Sequence, residues 1–279
     1  DAKCQYFLGQ HKKTGEPVPP EVKWVLDNHK NGSTVYKERI TMWPVLMSII
    51  HLINLCYQTY YNVGWKAMAV VAVFTFVQYD IFSGVLHVVH DNPLMIPLPV
   101  VGEPCLEFQW HHHIPQDLTS KSFLEVCGDL NVVSMLIFAL YCNPWGPYKM
   151  LESPIGMTLI SAKLIMAYFG QLCHAMSHMP PHRRPDWVST LQKYGVMVSP
   201  KEHWGHHKNY DDNYCIGNGM WNPVLTPFLK FTNAVHIALG SNEDMSSYCW
   251  LVGFLCLAVF DIPVAEYVAS THLGFLGRA

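Results

Sequence analysis

What this 279-residue sequence has little of is charge: only 14% of its residues are Asp, Glu, Lys or Arg, against roughly 25% in an ordinary soluble domain. A fully solvated globular surface is short of material, while 50% hydrophobic residues leave apolar surface in excess. The formal charge of -3 excludes a basic nucleic-acid binder, so no nucleic-acid partner is expected. Paired cysteines are missing as well. The nine cysteines include no CxxC and no close pair, which excludes a zinc ribbon and a disulfide framework and fits buried thiols in a reducing compartment. No charged segment followed by an apolar core opens the chain, and it starts at Asp1, so the expectation is a processed or an incomplete polypeptide. Internal repeats, low-complexity tracts and flavin, haem or iron-sulfur motifs are absent. Against these absences stands one excess, 16 histidines.

Residues 1–40 are polar and broken by Pro17, Pro19, Pro20, Gly9, Gly15 and Gly32, which predicts an irregular amino-terminal arm. Apolar runs follow at 43–61 and 67–89, each approaching the ~20 residues that a spanning helix requires. Trp43, Tyr60, Tyr61 and Trp65 flank them as an aromatic interface belt would. A third run, 132–142, reaches that length when extended back to Phe123, provided Glu125 and Asp129 face protein or water. Further runs lie at 155–173, which carries Lys163, and at 248–260. The expected fold is all-α: an integral membrane bundle of four to five transmembrane helices over 41–265, with a tail at 266–279. If all five runs span, the arm, the 90–122 loop and the polar stretch 174–247 share one side. That side holds fourteen Lys and Arg, whereas Lys66, Lys149 and Arg278 mark the other. Cytoplasmic loops collect basic residues, so the first side faces the cytosol or the plastid stroma.

The histidines concentrate on that side in four clusters: "HVVHD" (His87, His90, Asp91), "HHH" (His111, His112, His113), "HAMSH" (His174, His178) and "HWGHH" (His203, His206, His207). Helical residues three or four apart share a face, so His174 with His178, and His203 with His206 and His207, can aim their rings at a common point. Four clusters near one membrane face predict a shared polynuclear metal site. His11, His29, His51, His236 and His272 read as ordinary polar residues, and His182 as a bystander. Imidazole suits zinc, copper, iron and nickel alike. Zinc, however, would activate water with three ligands and an open position, not eight or nine. Between apolar helices a hydrocarbon chain is within reach, and breaking its unactivated C-H bonds needs an oxidant such as iron with O2 supplies. Asp91 is placed to ligate the metal or to orient a ligating ring. Asp129 reads as a functional intramembrane carboxylate or as a partner of Lys163.

The stretches "YDIFSGVLHVVHDN", "FQWHHHIPQDLT", "LCHAMSHMPPHRRPDWVSTLQKYGVMVSPKEHWGHH" and "NYCIGNGMWNPVL" together resemble the lipid desaturase family. That family includes plasmanylethanolamine desaturase (Kua in animals, CarF in bacteria) and the plant plastid desaturase of phosphatidylglycerol palmitate. The likeness runs from about Tyr79 to Leu225, and the arm and the last fifty residues fall outside it. It implies metal ligation by His87, His111, His112, His174, His178, His203, His206 and His207, with Asp91 at the acidic position. His113 is then an extra, and "NYCIGNGMWN" shapes the lipid entry. Two positions depart from the family pattern. Val88 replaces a common Trp, which would weaken packing at the site. His90 stands where a small or apolar residue is usual, and joins Asp91 as a candidate catalytic residue through a possible role as extra ligand or proton donor. The resemblance further implies two iron ions, O2 as co-substrate, a membrane phospholipid substrate desaturated near its head group, and electrons from a protein such as cytochrome b5 or a ferredoxin. Plastid (thylakoid or envelope) and endoplasmic reticulum membranes both fit. The alternatives are a hydroxylase built on the same centre, a metal transporter, and a catalytically altered subunit of a larger membrane complex.

Overall fold

The computed structural model describes residues 64–66, 68–96, 98, 101–113, 115, 117–120, 122–128, 130, 131, 134, 154–240 and 246–257, with single positions between 46 and 61 and at 267 and 271. The arm at 1–40, most of the runs at 43–61 and 132–142, Asp129 and most of the tail lie outside the described residues. Among the described residues every regular element is helical and none is a strand. In chain order they are α1 (Gly64–His90), a 3-10 turn at Pro93–Met95, α2 (Gly102–His113), the short α3 (Asp117–Ser120) and α4 (Phe123–Val126), and α5 (Pro154–His178). Then follow α6 (Asp186–Lys193), α7 (Pro200–Lys208), α8 (Asn222–Ala238) and α9 (Ser246–Leu257).

Two of these helices, α1 and the Thr158–His178 part of α5, are long and apolar enough to cross a membrane. They coincide with the second and fourth apolar runs. Each overshoots its run so that histidines occupy the last turn. Local sequence sets the ends. Pro154 opens α5 at a position where a missing N–H costs nothing, and Pro180 and Pro181 bar its continuation past His178. Ser199 caps α7 by accepting the Glu202 N–H at 3.1 Å, with Pro200 pre-setting the first turn.

Helix directions follow from a few tertiary contacts. Asn92, just past α1, donates to Ser247 Oγ at the start of α9. Lys163 Nζ donates to the Leu257 carbonyl at the end of α9 over 3.2 Å, and lies over the Phe82 ring. Lys163 precedes His178 by about 22 Å of helix. Helix α9 therefore starts beside the carboxyl ends of α1 and α5 and runs away from them. Tyr168, midway along α5, donates to Asn131 Oδ1 at 2.6 Å, and its hydroxyl lies 3.3 Å from Ser134 Oγ. Asn131 and Ser134 thus lie beside the middle of α5.

The core forms where α1 meets the later helices. Val85 and Val88 pack with Tyr214, Cys215, Leu225 and Leu229, backed by Trp250 and Phe254. Val88, where weaker packing was expected, is itself buried in this cluster. Within 174–247, polar on average, α8 carries an outward stripe of Val224, Phe228, Phe231 and Val235, all exposed. The histidines and loops around it hide this 17-residue helix from an average over the stretch.

Candidate metal centre

Helices α1, α2 and α5 all end at one place, and α7 lies across them. Their last turns carry His87, then His111 and His112, then His174 and His178; α7 adds His203, His206 and His207. A helix carboxyl end bears partial negative charge from its unpaired carbonyls, so three such ends converging favour a cation between them. Asp91 follows α1 by one residue, one turn after His87.

The eight histidines and Asp91 come together as two ligand sets. His111, His174, His178, His203 and His207 form one; His87, His112, His206 and Asp91 form the other, and within each set the ligand atoms lie within 4.8 Å of one another. With a metal–nitrogen distance of ~2.1 Å, two donors to one ion are at most about 4.2 Å apart, so a slight inward closure lets each set clasp an ion. The sets adjoin: the His111 and His112 ring centroids are 5.5 Å apart, and His203 and His206 are 6.0 Å apart. His203 and His206 were expected to share a point with His207. Instead His206 turns to the other set, because residues three apart on a helix differ by about 60° in direction.

Contacts inside the five-histidine set exclude a hydrogen-bonded cluster. The Nε2 atoms of His174 and His111 are 2.9 Å apart, His207 and His111 3.2 Å, His207 and His203 3.2 Å, and His178 and His203 2.6 Å. Each ring nitrogen offers one proton or one lone pair, so five such atoms make at most two hydrogen bonds across these four contacts. A cation at the focus satisfies every lone pair at once. His87 gives the same signal in the other set, being 0% exposed with neither ring nitrogen hydrogen-bonded.

Protonation suits ligation. Burial, reinforced by the neighbouring imidazoles, holds His111, His203 and His207 below the ordinary histidine range and so in the neutral form. Burial also lowers His112, against the opposing pull of Asp91. The Asp91 carboxyl is pushed up by burial, but the electrostatic pull of His112 and His87 and the side-chain contacts of His112 and His206 outweigh this and hold it below the usual carboxylate range. Its two oxygens lie 3.2 Å from His112 Nε2 and 3.1 Å from His206 Nε2. His206 Nδ1 faces the Asp212 carbonyl at 2.8 Å, which places the proton on Nδ1 and leaves Nε2 for a metal.

The remaining candidates fall elsewhere. His90 belongs to neither set: its Nδ1 is 2.7 Å from the Leu86 carbonyl, and its ring packs against Phe108 and Phe254. His182 is exposed in the turn after α5, and His236 sits on α8.

Sequence reasoning missed Asp80. Buried two turns before His87, its Oδ1 accepts the N–H groups of Asn218 and Gly219 at 2.8 and 3.0 Å, and its Oδ2 accepts that of Trp221 at 3.1 Å. The "NYCIGNGMWN" loop is thereby fastened to α1. Ser83 adds a contact to the Ile216 N–H, and Asn222 bonds Glu202 on α7 at 2.9 Å. Gly219 has φ +82°, and a Cβ there would strike the Glu202 carboxylate. The available signal was a carboxylate inside an apolar run, the same signal that drew attention to Asp129.

Residues 76–244, the span that supplies every one of these ligands, match the family described as the lipid desaturase domain. Among curated proteins, "fatty acid desaturase 4-like 1, chloroplastic" from Arabidopsis thaliana is 29% identical over 77% of this chain and 67% of its own. "Fatty acid desaturase 4, chloroplastic" from the same plant is 32% identical over 52% of this chain and 44% of its own. Plasmanylethanolamine desaturase 1 of Mus musculus is 28% identical over 52% and 55%. The chain thus aligns with about half to two thirds of the length of these relatives. No solved structure matches. With that family model covering more than half of its residues, the chain belongs to the lipid desaturase family.

Proposed function

We propose that the chain is an integral membrane, di-iron, O2-dependent desaturase that introduces a double bond near the head group of an intact phospholipid, of acyl-lipid or plasmanyl vinyl-ether type. The observation that carries this reading is the pair of adjoining buried ligand sets, eight imidazoles and one carboxylate, at the ends of apolar helices. Two iron ions held there would supply the oxidation R–CH2–CH2–R' + O2 + 2 e⁻ + 2 H⁺ → R–CH=CH–R' + 2 H2O. The five imidazoles of one set and the three with Asp91 of the other would hold the ions. Asp212, through its carbonyl, keeps the His206 lone pair directed inward. The Leu86 carbonyl, 2.7 Å from His90 Nδ1, orients that ring against Phe108, where His90 would serve as a proton donor to the centre. Phe108, packed on both His87 and His90, keeps water from that flank.

The exposed apolar residues of α1, α8 and α9, among them Val73, Phe231 and Val252, suit contact with acyl chains, with 41–265 as the membrane body. Basic residues on the histidine side direct the centre to the stroma of a plastid or the cytosolic face of the endoplasmic reticulum. Electrons then come from a soluble or membrane-anchored carrier such as a ferredoxin or cytochrome b5. The test is lipid mass spectrometry of a host lacking such an enzyme, with and without this chain, together with iron analysis of the purified protein. A new double bond with about two irons per chain is expected. A hydroxylated lipid would redirect the reading to oxygen insertion, and a metal-free chain with no product would end it.

A further inference from the structure

Helix α7 has two faces with different chemistry. Its inner face carries His203 and His206, both fully buried. Its outer face presents Lys201, Trp204 and Lys208, at positions i, i+3 and i+7 and all exposed. Trp204 is 41% exposed, yet its ring centroid lies 5.4 Å from His207 and 5.6 Å from His178, two members of the five-histidine set. One aromatic ring therefore touches both solvent and the candidate metal ligands. The acids on this stretch are largely engaged elsewhere: Glu202 bonds Asn222, and Asp212 pairs with Lys230 at 2.6 Å, leaving Asp211 exposed. Exposed Arg183, five residues after His178, adds a further cation.

We propose that the outer face of α7 docks an acidic one-electron carrier protein, with Lys201 and Lys208 gripping its carboxylates and Trp204 forming the packed contact between carrier and centre. This rests on the desaturase reading above. Each turnover consumes two electrons, so two reduced carriers dock in turn, each leaving oxidised by one electron; Trp204 is neither oxidised nor reduced overall. Charge complementarity of this kind speeds encounter and fixes orientation. A membrane-surface role for the same face is disfavoured by composition. The helix reads PKEHWGHHK, with no aliphatic residue to bury among acyl chains.

The experiment uses the full chain, iron-loaded in lipid nanodiscs, with a plant-type ferredoxin and the soluble domain of cytochrome b5 as acidic probes. Calorimetry measures probe binding, and stopped-flow spectroscopy measures reduction of the centre by each reduced probe and by dithionite. The double variant K201E/K208E is expected to weaken binding of the productive probe at least ~10-fold and to flatten its salt dependence. Dithionite reduction is expected to stay at the wild-type rate. W204A is expected to bind the probe within ~3-fold of wild type but to be reduced by it ~10-fold more slowly, with W204F recovering much of the rate. Unchanged binding in K201E/K208E, or loss of association with anionic vesicles in its place, would overturn the docking face while leaving the desaturase reading intact. A wild-type chain that holds no iron, or whose iron dithionite fails to reduce, would bring down that reading and the docking face with it.

Discussion

The two ligand sets differ in one respect with large consequences. The first has five imidazoles and, with its rings neutral, no formal charge; the second has three imidazoles and the Asp91 carboxylate. An ion in the first set is held by lone pairs alone, whereas an ion in the second also gains Coulomb attraction in a buried, poorly screened site. Geometry fixes the asymmetry. Adjacent residues on a helix differ by about 100°, so His111 and His112 diverge into different sets, as do His206 and His207. Pairs one turn apart stay together: His174 with His178, His203 with His207, and His87 with Asp91.

Breaking the five-histidine set should have the largest effect. His203→Ala is expected to cut product at least ~100-fold, since even outer-shell changes at metal sites commonly cost 10–100-fold. Iron per chain should fall by about half. His236→Ala, on α8 away from both sets, should match wild type in the same lipid assay, and equal activity in the two variants would dissolve the distinction. Asp91→Asn keeps the shape but removes the charge. It should weaken iron retention in the second set by ~10-fold or more in a chelator competition, while the five-histidine set keeps its ion. Loss of both ions together would mean that the sets act as one site.

Acid separates the sets further. His111, His203 and His207 have folded pKa values below the ordinary range near 6.5. Below about pH 6.5 the unfolded chain therefore binds protons that the folded one excludes, and stability falls as pH falls. Asp91 is shifted in the same direction but from a lower starting value: its contribution is present above the ordinary carboxylate pKa near 3.9 and is lost only below it. Metal-free protein should accordingly melt at progressively lower temperature from pH 6.5 to 4.5, and His207→Gln should flatten that slope. Two changes beside the sets should be smaller. Asp80→Asn removes the carboxylate that accepts three N–H groups and should cost about 1.5–3 kcal/mol in a denaturation assay. Lys230→Ala breaks an exposed pair with Asp212 and should cost no more than about 1 kcal/mol.

Much of this layout was legible along the chain. The runs at 67–89 and 155–173 became α1 and α5 because apolar length without an internal Pro leaves little alternative to helix. The candidate ligands stood out because short histidine clusters recur four times along the chain, and the fold gathers eight of those histidines with Asp91 into two groups that could hold a metal ion. Asp80 was not, since its partners are backbone N–H groups more than 130 residues away and leave no side-chain signature. Helix α8 was hidden because its apolar stripe is diluted by the polar turns around it.

The amino-acid order by itself settled which groups can ligate, since donor chemistry belongs to the side chain and the one-turn spacing to the helix. Which ring meets which depended on the tertiary arrangement. His111 joins His174, and His112 joins Asp91, only because α2, α5 and the end of α1 meet at particular rotations about their axes. Packing at Val88 holds α1 against α8 and α9, Cys105 holds α2 against the end of α1 and α9, and Cys173 holds α5 against α6 and the residues before α7, contacts between separate elements that no local pattern encodes.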